Sequence, residues 1–193
     1  EFLYWYPYDY RFSAKDLISN HLTFQVFHHS AIFPPELQPR GMVVFGMGLL
    51  NGAKMSSSKG NVFLLEDALS EFGADTVRMF LVGSAEPWQD FDWRNDLVSS
   101  TKKQIERFWN TIQEGKGAEG SCEIDAWLES RLQRRIESTT AALESFQTRQ
   151  ALQEAFFGVE ADLKWYRRRL PEGVTGGDVL RDLCHTWVRL LAP

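Results

Sequence analysis

Cysteine is scarce: Cys122 and Cys184 are the two thiols in 193 residues, far apart and at no metal-ligand spacing. Buried, reduced thiols in a cytosolic protein are the expectation. Long hydrophobic runs are absent. No stretch of about 18 apolar residues exists, so no segment is expected to span a membrane. The first residues, Glu1-Phe2-Leu3-Tyr4-Trp5-Tyr6-Pro7, carry no basic leader, so no signal peptide is expected. They also lack Met and begin in an aromatic run, as a piece cut from a longer protein would. Histidine is limited to His21, His28, His29 and His185. His28 and His29 are adjacent and point to different faces, a poor metal pair, so no protein-bound metal is expected. No glycine stands five residues before a Gly-Lys-Ser or Gly-Lys-Thr, which excludes a Walker A loop. There is no internal repeat and no low-complexity segment.

Core material is ample. The chain is 44% hydrophobic and 13% aromatic, which rules out disorder. Its length suits one large domain or two small ones. The net charge of −5 arises in the first half: residues 1–96 hold 7 Lys/Arg and 12 Asp/Glu, while residues 97–193 hold 14 of each. A neutral second half does not exclude RNA binding, because a basic stripe on one face suffices.

Tyr8 to Ser13 reads as a buried strand. Lys15-Asp16 opens a helical pattern through Leu17, Ile18, His21, Leu22, Phe24 and Phe27, which Pro34-Pro35 stops after Phe33. Asp16 has two readings, a cap on that helix or a carboxylate at the end of a strand, where open α/β sheets grip ribose hydroxyls. His21 lies one turn further on and reads locally as a packed or surface residue. Met42 to Leu50 is an apolar strand bounded by Pro39 and Asn51-Gly52. Gly46 and Gly48 inside it mark either a bulge or the close approach of a ligand or another backbone. Directly after it comes Lys54-Met55-Ser56-Ser57-Ser58-Lys59-Gly60-Asn61. Two ammoniums and three hydroxyls between Gly52 and Gly60 suit a polyphosphate whose charge moves during reaction. Composition alone equally allows a solvated turn.

A short helix, Glu66 to Phe72, closes at Gly73. Another starts at Asp75 with Val77, Phe80 and Leu81 on one face, and Pro87 breaks the pattern. Gln89 to Asn95 is an acidic, aromatic connector. From Leu97 the spacing becomes helical throughout. Leu97, Thr101, Ile105, Phe108 and Ile112 mark one face, and residues 115–120 a loop. Leu128, Leu132, Ile136, Leu143 and Phe146 mark a second helix. Leu152, Phe156, Val159, Leu163, Tyr166 and Leu170 mark a third. Leu180, Leu183, Trp187 and Leu190 or Leu191 mark a fourth. Four such helices with short connections make an antiparallel bundle. Lys102, Lys103 and Arg107, Arg134-Arg135, and Arg167-Arg168-Arg169 are its basic clusters, either a solvated face or contacts for RNA phosphates.

Lys54-Met55-Ser56-Ser57-Ser58 resembles the second signature of class I aminoacyl-tRNA synthetases, usually Lys-Met-Ser-Lys-Ser. The flanking Asn51-Gly52-Ala53 and Lys59-Gly60-Asn61 are also typical. The stretch Tyr6-Pro7 to Ile18, with Asn20-His21-Leu22-Thr23-Phe24, is similar to leucyl-tRNA synthetases of the archaeal and eukaryotic type. Asp90-Phe91-Asp92-Trp93-Arg94 looks like that family's junction into its anticodon-binding bundle. The resemblance covers essentially the whole chain. It implies the second half of a Rossmann-type α/β catalytic domain over 1–60, a linking fold over 61–96, and an all-α tRNA-binding bundle over 97–193.

It also implies roles. Asp16 would hold the adenosine ribose, His21 would lie near the aminoacyl-adenylate, and Gly46, Met47 and Gly48 would pass beside the adenine. Met55 and Ser58 would belong to the ATP loop with Lys54, Ser56 and Ser57, and Lys59 would add charge. ATP with Mg2+ would be the substrate complex, leucine and tRNA-Leu the other partners, and a cytoplasmic monomer the setting. Two departures stand out. Ser57 replaces the usual Lys, with Lys59 two residues later, and Ala14 stands where Gly is usual. The class's first signature, His-x-Gly-His, does not occur in the sequence. The fragment alone is therefore expected to be inactive in leucine activation. The alternative is a non-catalytic tRNA-binding module or a divergent paralogue.

Overall fold

The computed structural model describes residues 1–192. Its elements fall into two units, Glu1–Val62 with Pro87–Trp93, and Phe63–Glu86 with Arg94–Pro193. In the first, a short helix α1 (Phe2–Trp5) precedes strand β1 (Tyr10–Ala14). A 3-10 turn at Lys15–Leu17 and a π-helical turn at Ile18–Leu22 lead into α2 (Thr23–Ile32). Phe33 leaves that helix in extended conformation, as a residue before proline must. Strand β2 (Gly41–Phe45) pairs with β1 in parallel, Tyr10 opposite Gly41 and Ala14 opposite Phe45. A strand, a helical crossover and a parallel strand put both carboxyl ends at one edge. Of β1 only Ser13 is buried; Tyr10 and Phe12 are about half exposed, so the strand is not the buried one its composition suggests.

The apolar run 42–50 is two strands rather than one. β2 ends at Phe45, and β3 (Gly48–Leu50) belongs to a different sheet. The break has a physical cause: the chain at 87–90 crosses there. Gly46 N–H donates to the Pro87 carbonyl at 2.7 Å and Met47 N–H to the Asp90 carboxylate at 2.7 Å. A Cβ on Gly46 would lie 2.0 Å from the Gln89 carbonyl oxygen. Residues 89–95 are correspondingly more than a connector. They contain β5 (Phe91–Trp93), which runs parallel to β3 with Gly48 opposite Phe91. On its other side β3 pairs antiparallel with β4 (Ala53–Lys54).

The second unit is helical. It comprises α3 (Leu65–Phe72), α4 (Ala74–Ser84), α5 (Asn95–Lys116), α6 (Asp125–Glu144), α7 (Thr148–Leu152), α8 (Val159–Arg167) and α9 (Gly177–Leu190). A π-helical segment, Gln153–Gly158, joins α7 to α8 without a break. Leu128 and Leu132 of α6, Val159, Leu163 and Tyr166 of α8, Leu180, Leu183 and Trp187 of α9 and Ile112 of α5 share one core. The inward faces differ from the expected ones in phase. Val98 is fully buried while Leu97 is 48% exposed, and Ala142 and Thr139 face inward where Leu143 does not. Gly115 and Lys116 continue α5 rather than opening a loop.

Two polar networks fix α6 against α8. Tyr166 is fully buried and its hydroxyl donates to the Asp125 carboxylate at 2.6 Å. The same carboxylate accepts Cys122 N–H and the Ser121 hydroxyl, both at 2.9 Å. Burial works to raise the Asp125 pKa, but these donors outweigh it and hold the group below the usual range. Burial, with that neighbouring carboxylate, pushes the Tyr166 hydroxyl well up. Cys122 is half-buried and Cys184 buried, both free, and burial raises both thiols. Further along the seam Asp162, 8% exposed, accepts from Arg131 at 3.0 Å and from Arg135 at 2.8 Å. Arg135 also pairs with Glu154 in the π-helical segment.

Removing one partner of a buried ion pair costs about 3–5 kcal/mol when the remaining charge has no other compensation. Arg131 still pairs with Asp162 when Arg135 is lost, so Arg135→Met should lower the stability of the helical unit by less, about 1–3 kcal/mol, read as a lower urea midpoint at unchanged m-value. An unshifted midpoint would mean that Arg135 is not a structural residue.

Candidate functional site

The lysine–serine loop grows out of a tight hairpin. Asn51 (φ 51°) and Gly52 (φ 77°) both adopt positive φ and join β3 to β4, with Leu50 paired to Ala53 and Leu49 to Lys54. Asn-Gly is the favoured pair for such a two-residue turn. The turn is held from β5: Asn51 N–H donates to the Trp93 carbonyl at 3.1 Å, and Gly52 N–H to the Asp92 carboxylate at 2.7 Å. Beyond β4 the chain closes on itself. Ser56 and Asn61 exchange backbone hydrogen bonds at 3.0 and 3.2 Å, and the Asn61 amide donates to the Lys54 carbonyl at 3.2 Å. Ser57–Lys59 forms a 3-10 turn that Gly60 ends, and the Ser56 and Ser58 hydroxyls are 3.0 Å apart. Met55 and Ser56 are half-buried and anchor the loop, while Lys54, Ser57, Ser58 and Lys59 are exposed. Neither ammonium has an anionic partner among the described residues.

A second group of candidates lies at the carboxyl edge of the β1–β2 pair. Asp16 stands in the turn after β1, exposed and capping nothing; no hydrogen bond engages its carboxylate among the described residues. Gly46 and Met47 follow β2 at the same edge. Lys15, next to Asp16, reaches the Asp90 carboxylate at 2.6 Å, and Asp90 also accepts Met47 N–H. Those two donors, Lys15 first, hold Asp90 below the usual carboxylate range. The missing side chains at Gly46 and Gly48 answer to the chain itself. Gly46 admits the Gln89 backbone, and Gly48 admits the Phe91 ring, which a Cβ would approach to 2.7 Å. His21 sits in the π-helical turn with its Nε2 3.2 Å from the Arg11 guanidinium. A guanidinium only donates, so Nε2 is the acceptor in this contact.

The basic clusters split. Lys103, Arg134 and Arg168 are exposed and unpaired among the described residues. Lys102 donates to the Glu71 carbonyl at 3.4 Å, Arg107 is 3.9 Å from Glu160, and Arg167 is 3.0 Å from Glu114. Arg169 lies 3.5 Å over the Trp165 ring, whose centroid is 4.0 Å from that of Trp127 at an interplanar tilt of 32°. Arg135 does not belong with them, since two carboxylates hold its largely buried guanidinium. Sequence reading missed Arg11, Lys15, Asn61, Asp90 and Asp92. Only Asn51-Gly52 carried a usable signal, as a hairpin turn rather than a strand boundary.

The family described as "tRNA synthetases class I (M)" matches residues 3–115. The chain belongs to the class I tRNA synthetases. A second family, "Anticodon-binding domain of tRNA ligase", matches residues 125–193. The chain is 52% identical to the leucine–tRNA ligase of Methanothermobacter thermautotrophicus, over all of this chain and 22% of that protein. It is 50% identical to that of Pyrococcus horikoshii, over all of this chain and 21% of that one. It thus spans about a fifth of the length of the curated relatives it matches. Among solved structures, a LeuRS–tRNA–LeuAMS ternary complex from Agrobacterium radiobacter superposes with TM-score 0.74 at 24% identity. It covers 96% of this chain and 25% of that one. Mycobacterium tuberculosis methionyl-tRNA synthetase, solved with methionyl-adenylate, gives 0.70 at 20% identity, over 97% and 41%. The class I fold is the one the sequence motifs imply: an α/β catalytic part followed by a helical bundle. Among the described residues no helix is long and apolar enough to cross a membrane.

A side chain at Gly52 would meet nothing within 4 Å, so the turn tests backbone conformation alone. Gly52→Val should destabilise the hairpin by about 1–2 kcal/mol and raise amide exchange across residues 54–61. Unchanged exchange there would show that the turn does not hold the loop.

Proposed function

We propose that this class I synthetase chain is the part of a leucine–tRNA ligase that closes on ATP and begins its tRNA-binding bundle. What carries the reading is the Lys54–Lys59 loop: two exposed, unpaired ammoniums and three hydroxyls on a pinned hairpin, in a chain half identical to leucine–tRNA ligases along its whole length. In the reaction, the leucine carboxylate attacks the α-phosphate of Mg2+-bound ATP. The α–β phosphoanhydride bond breaks, leaving leucyl-adenylate and pyrophosphate, and the leucyl group then passes to a terminal ribose hydroxyl of tRNA-Leu. Negative charge develops on the pyrophosphate, where Lys54 and Lys59 supply compensating charge and Ser56, Ser57 and Ser58 donate hydrogen bonds. Lys59 takes up the charge missing at Ser57. Asp16, having no competing partner among the described residues, accepts from the ribose hydroxyls. Gly46, Met47 and Gly48 pass beside the adenine, with the space at the two glycines taken up by Gln89 and Phe91, and His21, beside Arg11, faces the adenylate. Lys102, Lys103, Arg107, Arg134, Arg167, Arg168 and Arg169 contact tRNA phosphates. The working protein is a cytoplasmic monomer. The 193 residues contain no His-x-Gly-His, so the isolated chain should not support leucine-dependent ATP–pyrophosphate exchange; robust exchange by it would reject that expectation.

In a full-length ligase carrying this chain, Lys54→Ala should lower leucine-dependent exchange at least tenfold, about 1.4 kcal/mol. A smaller loss would favour a non-catalytic tRNA-binding module. The bundle has its own test. Lys103→Glu with Arg168→Glu should weaken tRNA binding and flatten the salt dependence by roughly 0.7–0.9 for each phosphate no longer neutralised. An unchanged salt slope would remove these two cations from the interface.

A further inference from the structure

The strands that carry the proposed ATP loop are very short. β3 has three residues and β4 has two. A two-residue strand joined by a two-residue turn has little of its own to fix the direction in which Lys54 projects. What holds it comes from a segment far along the sequence. Two consecutive amides of the turn, Asn51 and Gly52, donate to the Trp93 carbonyl and to the Asp92 carboxylate. Two residues before Asp92, the Asp90 carboxylate accepts Met47 N–H at 2.7 Å and the Lys15 ammonium at 2.6 Å. Asp92 therefore holds the turn after β3, and Asp90 holds the backbone just before it. A carboxylate accepting a backbone amide makes a charge-assisted bond, roughly twice as strong as a neutral one. The Lys15–Asp90–Met47 chain has a second effect. It ties the residue next to Asp16 to the strand break that contains Gly46, both at the carboxyl edge of β1–β2.

Resting on the reading of this unit as an ATP site, we infer that Asp92 and Asp90 are positioning residues for leucine activation. Asp92 aims Lys54 through the Gly52 amide. Asp90 sets the spacing between Asp16 and Met47 through Lys15. Neither touches the reacting atoms. Misplacement of a charged group by about 1 Å can lower a rate on the order of a hundredfold, so the two carboxylates have kinetic consequences of different kinds. The aim of Lys54 matters as pyrophosphate departs and should appear in kcat. The Asp16–Met47 spacing matters for holding the nucleoside and should appear in the KM for ATP.

The test uses leucine-dependent ATP–pyrophosphate exchange by the full-length ligase. Asp92→Ala should lower kcat at least tenfold with the KM for leucine unchanged within twofold. Asp92→Asn should restore kcat to within threefold, because the amide oxygen still accepts from Gly52 N–H. Asp90→Ala and Lys15→Met should each raise the KM for ATP at least fivefold, and the double variant should be no worse than either single one. The inference is overturned by any of four results: an Asp92→Ala kcat within twofold of the parent; Asp92→Asn as slow as Asp92→Ala; additive effects of Asp90→Ala and Lys15→Met; or insoluble Asp92→Ala protein or a melting temperature lowered by more than about 5 °C, which would make Asp92 a general structural residue. Lys54→Ala is measured beside them. If Lys54→Ala also leaves exchange intact, the ATP-site reading fails; if Lys54→Ala collapses and Asp92→Ala does not, positioning alone fails.

Discussion

The pairing of β3 with β5 is the interaction on which the loop's geometry rests. β3 is sandwiched between a two-residue strand and a three-residue strand, and only the latter is tied to it by both ladder and side-chain bonds. Met47, Asn51 and Gly52 all donate into residues 90–93. Those bonds leave the serine loop closed by its own Ser56–Asn61 bridge and otherwise free. A rigid base with an exposed cationic tip is what charge stabilisation during phosphoryl chemistry requires. Donors aimed beforehand need no reorganisation as the leaving group departs.

In the helical unit the arginines divide by depth rather than by sequence. Arg134 and Arg135 are neighbours, yet one is exposed and the other lies between Asp162 and Glu154. The reason is the helix period: successive residues point about 100° apart, so one faces α8 and the other does not. Asp162 and Asp125 each gather several donors, and each joins α6 to α8. These carboxylates set the register of a seam whose apolar residues alone would tolerate sliding.

Much of this was legible in the sequence. The helices were, because spacing of three and four is unambiguous over twenty residues. The loop was legible as a loop, because Lys54-Met55-Ser56-Ser57-Ser58 with its flanks resembles a family signature, with Ser57 in place of the usual Lys. What stayed hidden depended on distant chain. Gly46 inside Met42–Leu50 signals the close approach of a ligand or another backbone, but nothing local says that it is residues 87–90 that cross there. Nothing in Asp90-Phe91-Asp92 says strand, since its alternation is too short and too acidic. The inward residue of α5 was misjudged by one position, because Val98 and Leu97 are equally apolar and only packing separates them. The burial of Arg135 is equally invisible, being decided by Asp162 and Glu154 some way downstream.

The first unit is assembled from two pieces of chain, 1–62 and 87–93, with a helical stretch of the other unit in between. During vectorial synthesis β3 therefore emerges without its parallel neighbour. It must wait until α3 and α4 have been made before β5 can join it. Closing that loop carries an entropic penalty that grows only slowly with its length, but non-local pairing is slow to form. The nascent hairpin thus acquires its parallel neighbour only after residues 63–86 have been made. Severing the polypeptide anywhere between 62 and 87 leaves β3 and β5 on separate pieces, so the boundary between these units is not a place where the gene can be cut once.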